Sequence, residues 1–291
     1  DTPDDLCLER LLSLYFKGCP LEKAILGTKK TLKEMTSQTL KDYHDKHYVA
    51  QNTVLSIAGN LTEQQAVAIA TKYFEDKYTS QKDYDNAPIC ARTPHSHSCK
   101  RKKSIEQTHI AFAFPSYPYN DERCTAMQLM TIIFSMEMSS RLFQSVREKL
   151  GLCYTIYGYP SSYQNNGAFI IYTSTSPHNT VSAVEAIRDE IDLLIDKGVS
   201  DEELNKGKEQ LKTSLVLGQE STSAMMRTFG GHAVQTGELY DFDKRIKSID
   251  SVTKEDVQKC AKEIFDFTEV CSSIVAPDDD VDILKIIKRN D

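Results

Sequence analysis

The chain has 291 residues, 40% of them apolar, and a formal charge of -7 with a pI near 5.6. That length supplies one large core or two ordinary ones, since domains commonly run to about 100–150 residues, and the acidic balance argues against nucleic acid, which needs a clustered positive surface. No run of about 18 apolar residues offers a membrane span, and Asp1, Asp4, Asp5 and Glu9 stand where a secretory signal needs a basic and then apolar stretch.

The first elements follow from helical spacing. D-D-L-C-L-E-R-L-L-S-L-Y-F predicts a helix, and T-S-Q-T-L-K-D-Y-H-D-K-H-Y a second one capped by Thr36 or Ser37. T-V-L-S-I-A-G is expected as a strand ending at Gly59-Asn60, followed by a helix capped by Thr62. From Tyr78 to Lys103 the chain has Pro88, Pro94, many polar residues and a K-R-K-K run without any period, which predicts a linker and a solvated charge run.

After it, H-I-A-F-A-F-P reads as a strand and D-E-R-C-T-A-M-Q-L-M-T-I-I-F-S-M as a largely buried helix. S-S-R-L-F-Q-S-V-R-E-K-L is amphipathic, and two strands follow, from Tyr154 and from Gly167. Helices are expected over roughly 179–197 and 200–237, the latter broken near Gly218 and again near Gly230-Gly231. A last helix, with Thr253 and Asp256 set as a capping box, leads into the strand E-V-C-S-S-I-V.

Eight cysteines are scattered without dense spacing and mostly in apolar surroundings, so all are expected as thiols of a reducing, cytoplasmic compartment. No C-x-x-C offers a zinc knuckle.

One internal repeat organises the chain. Laying Thr36 on Thr253 puts Leu40 on Val257, Tyr48 on Phe265, Ser56 on Ser273 and Ile57 on Ile274, all at the offset 253 - 36 = 217. Helix cap, helix core and following strand agree. A second unit starting near residue 104 then implies a first unit starting near 104 - 217 = -113, so residue 1 stands inside a unit. The expected division is a truncated first domain over 1–80, a linker over 81–104 and a complete second domain over 105–291. A half-sheet with bare edges is a poor autonomous domain, which calls for an upstream segment or a partner chain.

Several segments resemble, in order, the pitrilysin/insulinase family of inverted zinc metallopeptidases. They are D-T-P-D-D-L with K-G-C-P-L-E-K-A-I-L-G-T, then H-Y-V-A-Q-N-T-V-L-S-I-A-G-N, then S-S-R-L-F-Q-S-V-R-E-K-L-G-L-C-Y. The resemblance covers essentially the whole chain. It implies an α+β fold of two similar domains, each an antiparallel sheet with helices on one face, facing each other across a chamber. It also implies that Arg147 binds substrate carbonyls and that Tyr154, seven positions on, is both substrate-binding and catalytic by polarising the scissile carbonyl.

The family's H-x-x-E-H zinc motif is missing from the sequence, and the matched order puts it upstream of Asp1. Zinc is therefore expected in the parent protein and no metal in this chain. His44 and His47 share a helix face beside Asp45 but lack further ligands and are expected in surface or packing roles; His95 and His97 lie in the linker, where no rigid face joins them and any metal capture is expected to be incidental to function. Glu148 and Glu220 read as a solvent-facing charge and a helix-terminal charge. The leading expectation is a fragment of a zinc endopeptidase, inactive alone, that binds extended peptides as an added strand. The alternative is a non-catalytic, peptide-binding partner subunit. A structural subunit of a respiratory complex fits the fold but not the residues near Tyr154. Expected partners are peptides and the metal-bearing segment or chain, without nucleic acid or membrane; a dimer is compatible with this.

Overall fold

The computed structural model describes residues 2–75, 96–102, 104–277 and 281–289, with backbone alone for 99–101. The chain is an α+β protein that splits into two compact units. One comprises Asp1–Ala24, Ile89–Gln210 and Lys247–Asp291, the other Ile25–Pro88 and Leu211–Ile246.

The first unit is built on a sheet of β1 (His97–Arg101), β2 (Thr108–Ser116), β3 (Thr155–Ser162), β4 (Gly167–Thr175) and β5 (Cys271–Ala276). The strand order is β1-β5-β2-β4-β3, with β1 parallel to β5 and the other pairs antiparallel. On one face stand large residues, Ile110, Phe112 and Phe114 of β2 and Phe169 and Ile171 of β4, all fully buried. Helix α1 (Pro3–Tyr15) belongs to the opposite face; the large face meets α5 (Cys124–Thr131), α10 (Lys254–Ile264) and the π-helical turns after α5, with α6 (Thr180–Lys197) packed against α10. Phe265, just beyond α10, lies edge-on to Phe114 and Phe169, with ring centroids 5.2 and 5.4 Å away, an arrangement favoured by the aromatic quadrupole.

On α1's face the sheet offers Ala111, Ala113 and Ala168, side chains small enough for a helix to come close. Cys7, Leu11, Tyr15 and Phe16 fill that space and are fully buried. The Cys7 thiol donates to the Ser273 carbonyl at 3.4 Å, and the Tyr15 hydroxyl reaches the carbonyls of Phe114 and Gly167 at 3.3 and 3.2 Å. Both faces of the sheet are therefore covered, the second by a helix from the chain's first residues.

The second unit holds α2 (Lys29–Glu34), α3 (Ser37–His47), α4 (Glu63–Phe74) and α8 (Thr222–Thr236). Helix α7 (Asp201–Gly218) and α9 (Phe242–Ser251) each run across a unit boundary, and α11 (Ile283–Lys288) closes the described chain. Thr36 and Thr253 cap α3 and α10, each with a reciprocal side-chain bond three residues on; the Thr253–Asp256 spacing predicts this, and of the two caps offered for α3 the structure takes Thr36.

Four expectations need correction. Residues 53–58 form no ladder, and Val54, Leu55 and Ile57 are 42%, 47% and 40% exposed. Part of the expected linker, 97–101, is the edge strand β1; residues 81–95 and 103 lie outside the described residues. A polar edge strand is held by backbone bonds, so it shows no apolar period. Helix α8 runs through Gly230-Gly231 without a break; a Cβ at Gly230 would stand 3.0 Å from that of Ser56, so this glycine serves a close approach and does not end the helix. Cys19 is disulfide-bonded, whereas Cys7, Cys124, Cys153, Cys260 and Cys271 are free. Sparse spacing does not by itself reveal a bridge.

Candidate functional site

The site begins where α-helical geometry widens. After Leu142 the chain forms a π-helix over Phe143–Lys149, in which the Leu150 N–H donates to the Ser145 carbonyl, five residues back, at 3.1 Å. Such widened turns recur at functional sites. The element is anchored by Leu142 and Val146, both fully buried, and by Arg141, whose guanidinium grips both oxygens of Glu203 at 2.7 and 2.8 Å and the Gly198 carbonyl at 2.9 Å. Through that pairing Arg141 holds the Glu203 carboxyl down at about 2.

Arg147 sits on the last turn of this π-helix, half-buried, its guanidinium carbon 4.5 Å from the centroid of the Phe143 ring. The ring holds the cation while leaving its in-plane N–H donors for a partner. Gly151 then reverses the chain at φ 61°, a left-handed conformation that side chains rarely adopt. Cys153 is buried, and burial pushes its thiol up, opposed by a hydrogen bond with Thr173 and by the Arg147 charge.

Tyr154 follows at the mouth of β3 with its side chain 57% exposed. Its backbone is pinned by β4 on three sides. The Tyr154 N–H donates to the Ser174 carbonyl at 2.8 Å, the Thr173 hydroxyl to the Thr155 carbonyl at 2.9 Å and the Thr175 hydroxyl to the Leu152 carbonyl at 2.5 Å. A phenol on a fixed backbone thus projects to solvent from the edge of the sheet. β3 is the last strand in the sheet order. Close packing behind it requires Gly158, where a Cβ would lie 2.7 Å from the Ser135 hydroxyl.

The other tyrosines of this stretch pack. Tyr157 lies against Tyr172, ring centroids 5.1 Å apart, and with Tyr159 and Tyr163 borders the core under α1. Burial raises Tyr157 and lifts Tyr159 to about 12. Sequence reading missed Phe143, Thr173 and Thr175. Only Phe143 left a signal, standing on the same helical stripe as Arg147.

The remaining candidates do not join this site. Glu148 and Glu220 are exposed. His44 contacts Asp45 at 3.2 Å and stacks on Tyr48, and His47 lies against Tyr43, all on exposed α3. His97 pairs with the Ser272 hydroxyl at 2.7 Å, and His95 is outside the described residues. Among the described residues no group of three His, Cys, Asp or Glu could hold a metal ion, so the described side chains do not fit zinc. Nor is any described helix long and apolar enough to cross a membrane.

Residues 34–211 match the family described as Peptidase M16 inactive domain. The chain belongs to the M16 peptidase family. It is 34% identical over 280 residues to a protein of Rickettsia felis named an uncharacterized zinc protease, covering 96% of this chain and 66% of that one. It is 30% identical over 267 residues to the uncharacterized zinc protease YmxG of Bacillus subtilis, covering 91% of this chain and 64% of that one. The chain thus spans less than two thirds of either relative. A crystal structure of a peptidase M16 inactive domain from Pseudomonas fluorescens has the same fold, with a TM-score of 0.85 at 21% identity, covering 96% of this chain and 66% of that one.

Proposed function

We propose that this chain supplies the peptide-binding and oxyanion-stabilising part of a zinc endopeptidase whose metal is held by another segment or subunit. One observation carries the proposal. In a family whose relatives are named zinc proteases, the chain has no metal-holding cluster among its described residues but keeps an exposed phenol and a guanidinium at one rigid turn. An extended peptide adds along the outer edge of β3, its backbone pairing as a further strand and its side chains little constrained. Arg147 donates N–H bonds to substrate carbonyls. Tyr154 donates its O–H to the carbonyl under attack, where the developing negative charge strengthens the bond. The three bonds from β4 limit how far Tyr154 must reorganise.

The test uses the assembled zinc protease. Tyr154→Phe and Arg147→Ala are each expected to lower kcat by about 10²- to 10³-fold, the usual effect of deleting one oxyanion donor. Unchanged kcat in both variants rejects the proposed roles.

A second reading is a non-catalytic peptide-binding subunit, favoured by the description of the matched family domain as inactive. An H-x-x-E-H motif encoded upstream of Asp1 supports the enzyme, and its absence the subunit. A cytoplasmic location draws on the free thiols at Cys7, Cys124, Cys153, Cys260 and Cys271 and is opposed by the Cys19 disulfide. The mass of native protein alkylated before and after reduction decides between them.

A further inference from the structure

The sheet ends at β3, which pairs with β4 and with no other described strand. The turn between the two sets the phase of their pairing. The Tyr163 N–H donates to the Asn166 carbonyl at 2.7 Å, and Tyr163 opposite Asn166 continues the register of Ser162 opposite Gly167. Bonded and non-bonded pairs alternate along an antiparallel ladder. Ser161, Tyr159, Tyr157 and Thr155 therefore turn their backbone groups to β4, whereas Ser162, Pro160, Gly158 and Ile156 turn theirs to the outer edge. The far side of the sheet agrees. There the Ser272 N–H donates to the Ser96 carbonyl at 2.9 Å, and carrying the alternation from β5 through β2 and β4 again leaves Gly158 facing outward.

Three features cut that edge short. Pro160 has no N–H, and its ring stands where an outward donor would be. The Gly158 carbonyl accepts from the Ser135 hydroxyl at 3.2 Å, in the π-helical turn Ile132–Met136. Beyond Pro160, the Ser162 hydroxyl donates to the Tyr117 carbonyl and the Tyr119 N–H to the Tyr163 carbonyl, both at 2.9 Å, so the 117–119 loop packs on the end of the strand. What is left is a step two residues long. It offers the N–H of Ile156, the N–H of Gly158 and the Ile156 carbonyl, and among the described residues no other element pairs with them.

We infer that β3 holds an extended peptide through the Ile156 and Gly158 N–H groups alone, seating two substrate carbonyls two residues apart in one register beside Tyr154, and that Pro160 stops the added strand there. The inference rests on the proposed function for its ligand, a peptide. A second copy of this chain fits the step poorly, because sheet edges join through long rows of donors and acceptors. A single peptide whose neighbouring carbonyls are held by Arg147 and Tyr154 requires no longer edge. A slip of one residue turns the substrate's carbonyls away from both donors, so the step decides which carbonyl reaches the Tyr154 phenol.

The test is amide hydrogen exchange of the full chain read residue by residue by NMR, alone and with a short unstructured peptide of Ala, Thr and Lys at millimolar concentration. Alone, the Ile156 and Gly158 amides are expected to exchange about 10-fold faster than those of Tyr157 and Tyr159, which the β4 ladder holds. The peptide slows Ile156 and Gly158 by about 10-fold and leaves Ser162 unchanged. In Pro160→Val the protection extends to position 160, while unchanged Ile170 and Tyr172 amides report an intact sheet. Equal exchange of inward and outward amides, no effect of peptide, protection reaching Ser162 in the unsubstituted chain, or protection that grows with chain concentration without peptide would each overturn the inference. Protection of Ile156 and Gly158 with kcat unchanged in Tyr154→Phe and Arg147→Ala of the assembled protease would instead count against the catalytic roles and leave the docking step standing.

Discussion

Residues 253–276 and residues 36–59 run through the same order, a Thr-capped helix followed by an apolar segment, yet only the first ends in a strand. Ile274 is fully buried between neighbouring strands, whereas its counterpart Ile57 is 40% exposed. The difference lies outside both segments. β propensity describes fitness for a pleated, half-buried surface, and β5 has such a surface because β1, β2 and α1 build it. Residues 53–58 have the composition and the covering helix but, among the described residues, no strand beside them.

The comparison breaks most directly by truncating the paired isoleucines. Ile274→Ala is expected to destabilise by about 2–5 kcal/mol, the range for emptying a packed core. Ile57→Ala should stay within about 0.5 kcal/mol, as for surface changes. Denaturant midpoints at constant slope measure both, and equal losses would mean that the 53–58 segment is already packed. Gly158→Ala comes next, at about 1–3 kcal/mol, because its Cβ would overlap Ser135 and force β3 away from the π-helical turn. The caps should sharpen the likeness instead of the difference. Thr253→Ala and Thr36→Ala each remove a side-chain acceptor from a helix N-terminus and should each cost about 0.5–2 kcal/mol, read as loss of helicity in the unit concerned.

The smallest effect is on pH dependence. Glu203 is depressed in the folded chain to about 2 by Arg141. Its contribution is therefore complete above the ordinary glutamate range and is lost as pH falls from about 4.5 toward 2. Glu203→Gln should flatten that part of the acid-unfolding curve of the sheet-bearing unit. An unchanged slope between those pH values would show that the pair contributes nothing to stability.

What could be read in advance was local. A cap at Thr36 or Ser37 and a capping box at Thr253 need only a few residues, and H-I-A-F-A-F-P and G-A-F-I-I-Y-T-S-T carry enough apolar residues to declare β2 and β4. The edge strand β1 was hidden because backbone pairing with β5 holds it. Helix α9, amphipathic but burying only Ile249, was too polar to stand out. The position of α1 on the far side of the sheet was equally invisible, since its apolar stripe says that it is buried but not against what. At the candidate site, the roles of Arg147 and Tyr154 rest on the resemblance alone. The clamp of Thr173 and Thr175 depends on the register between β3 and β4 and left no mark in the sequence.

The central claim is that this chain holds carbonyl-binding donors while the metal of its protease is carried elsewhere. Hydrolysis of an unstructured quenched-fluorescence peptide by the purified 291-residue chain in the presence of added zinc tests it most directly. The account predicts no cleavage above the peptide-only rate, with or without zinc. Robust cleavage abolished by a chelator would contradict it.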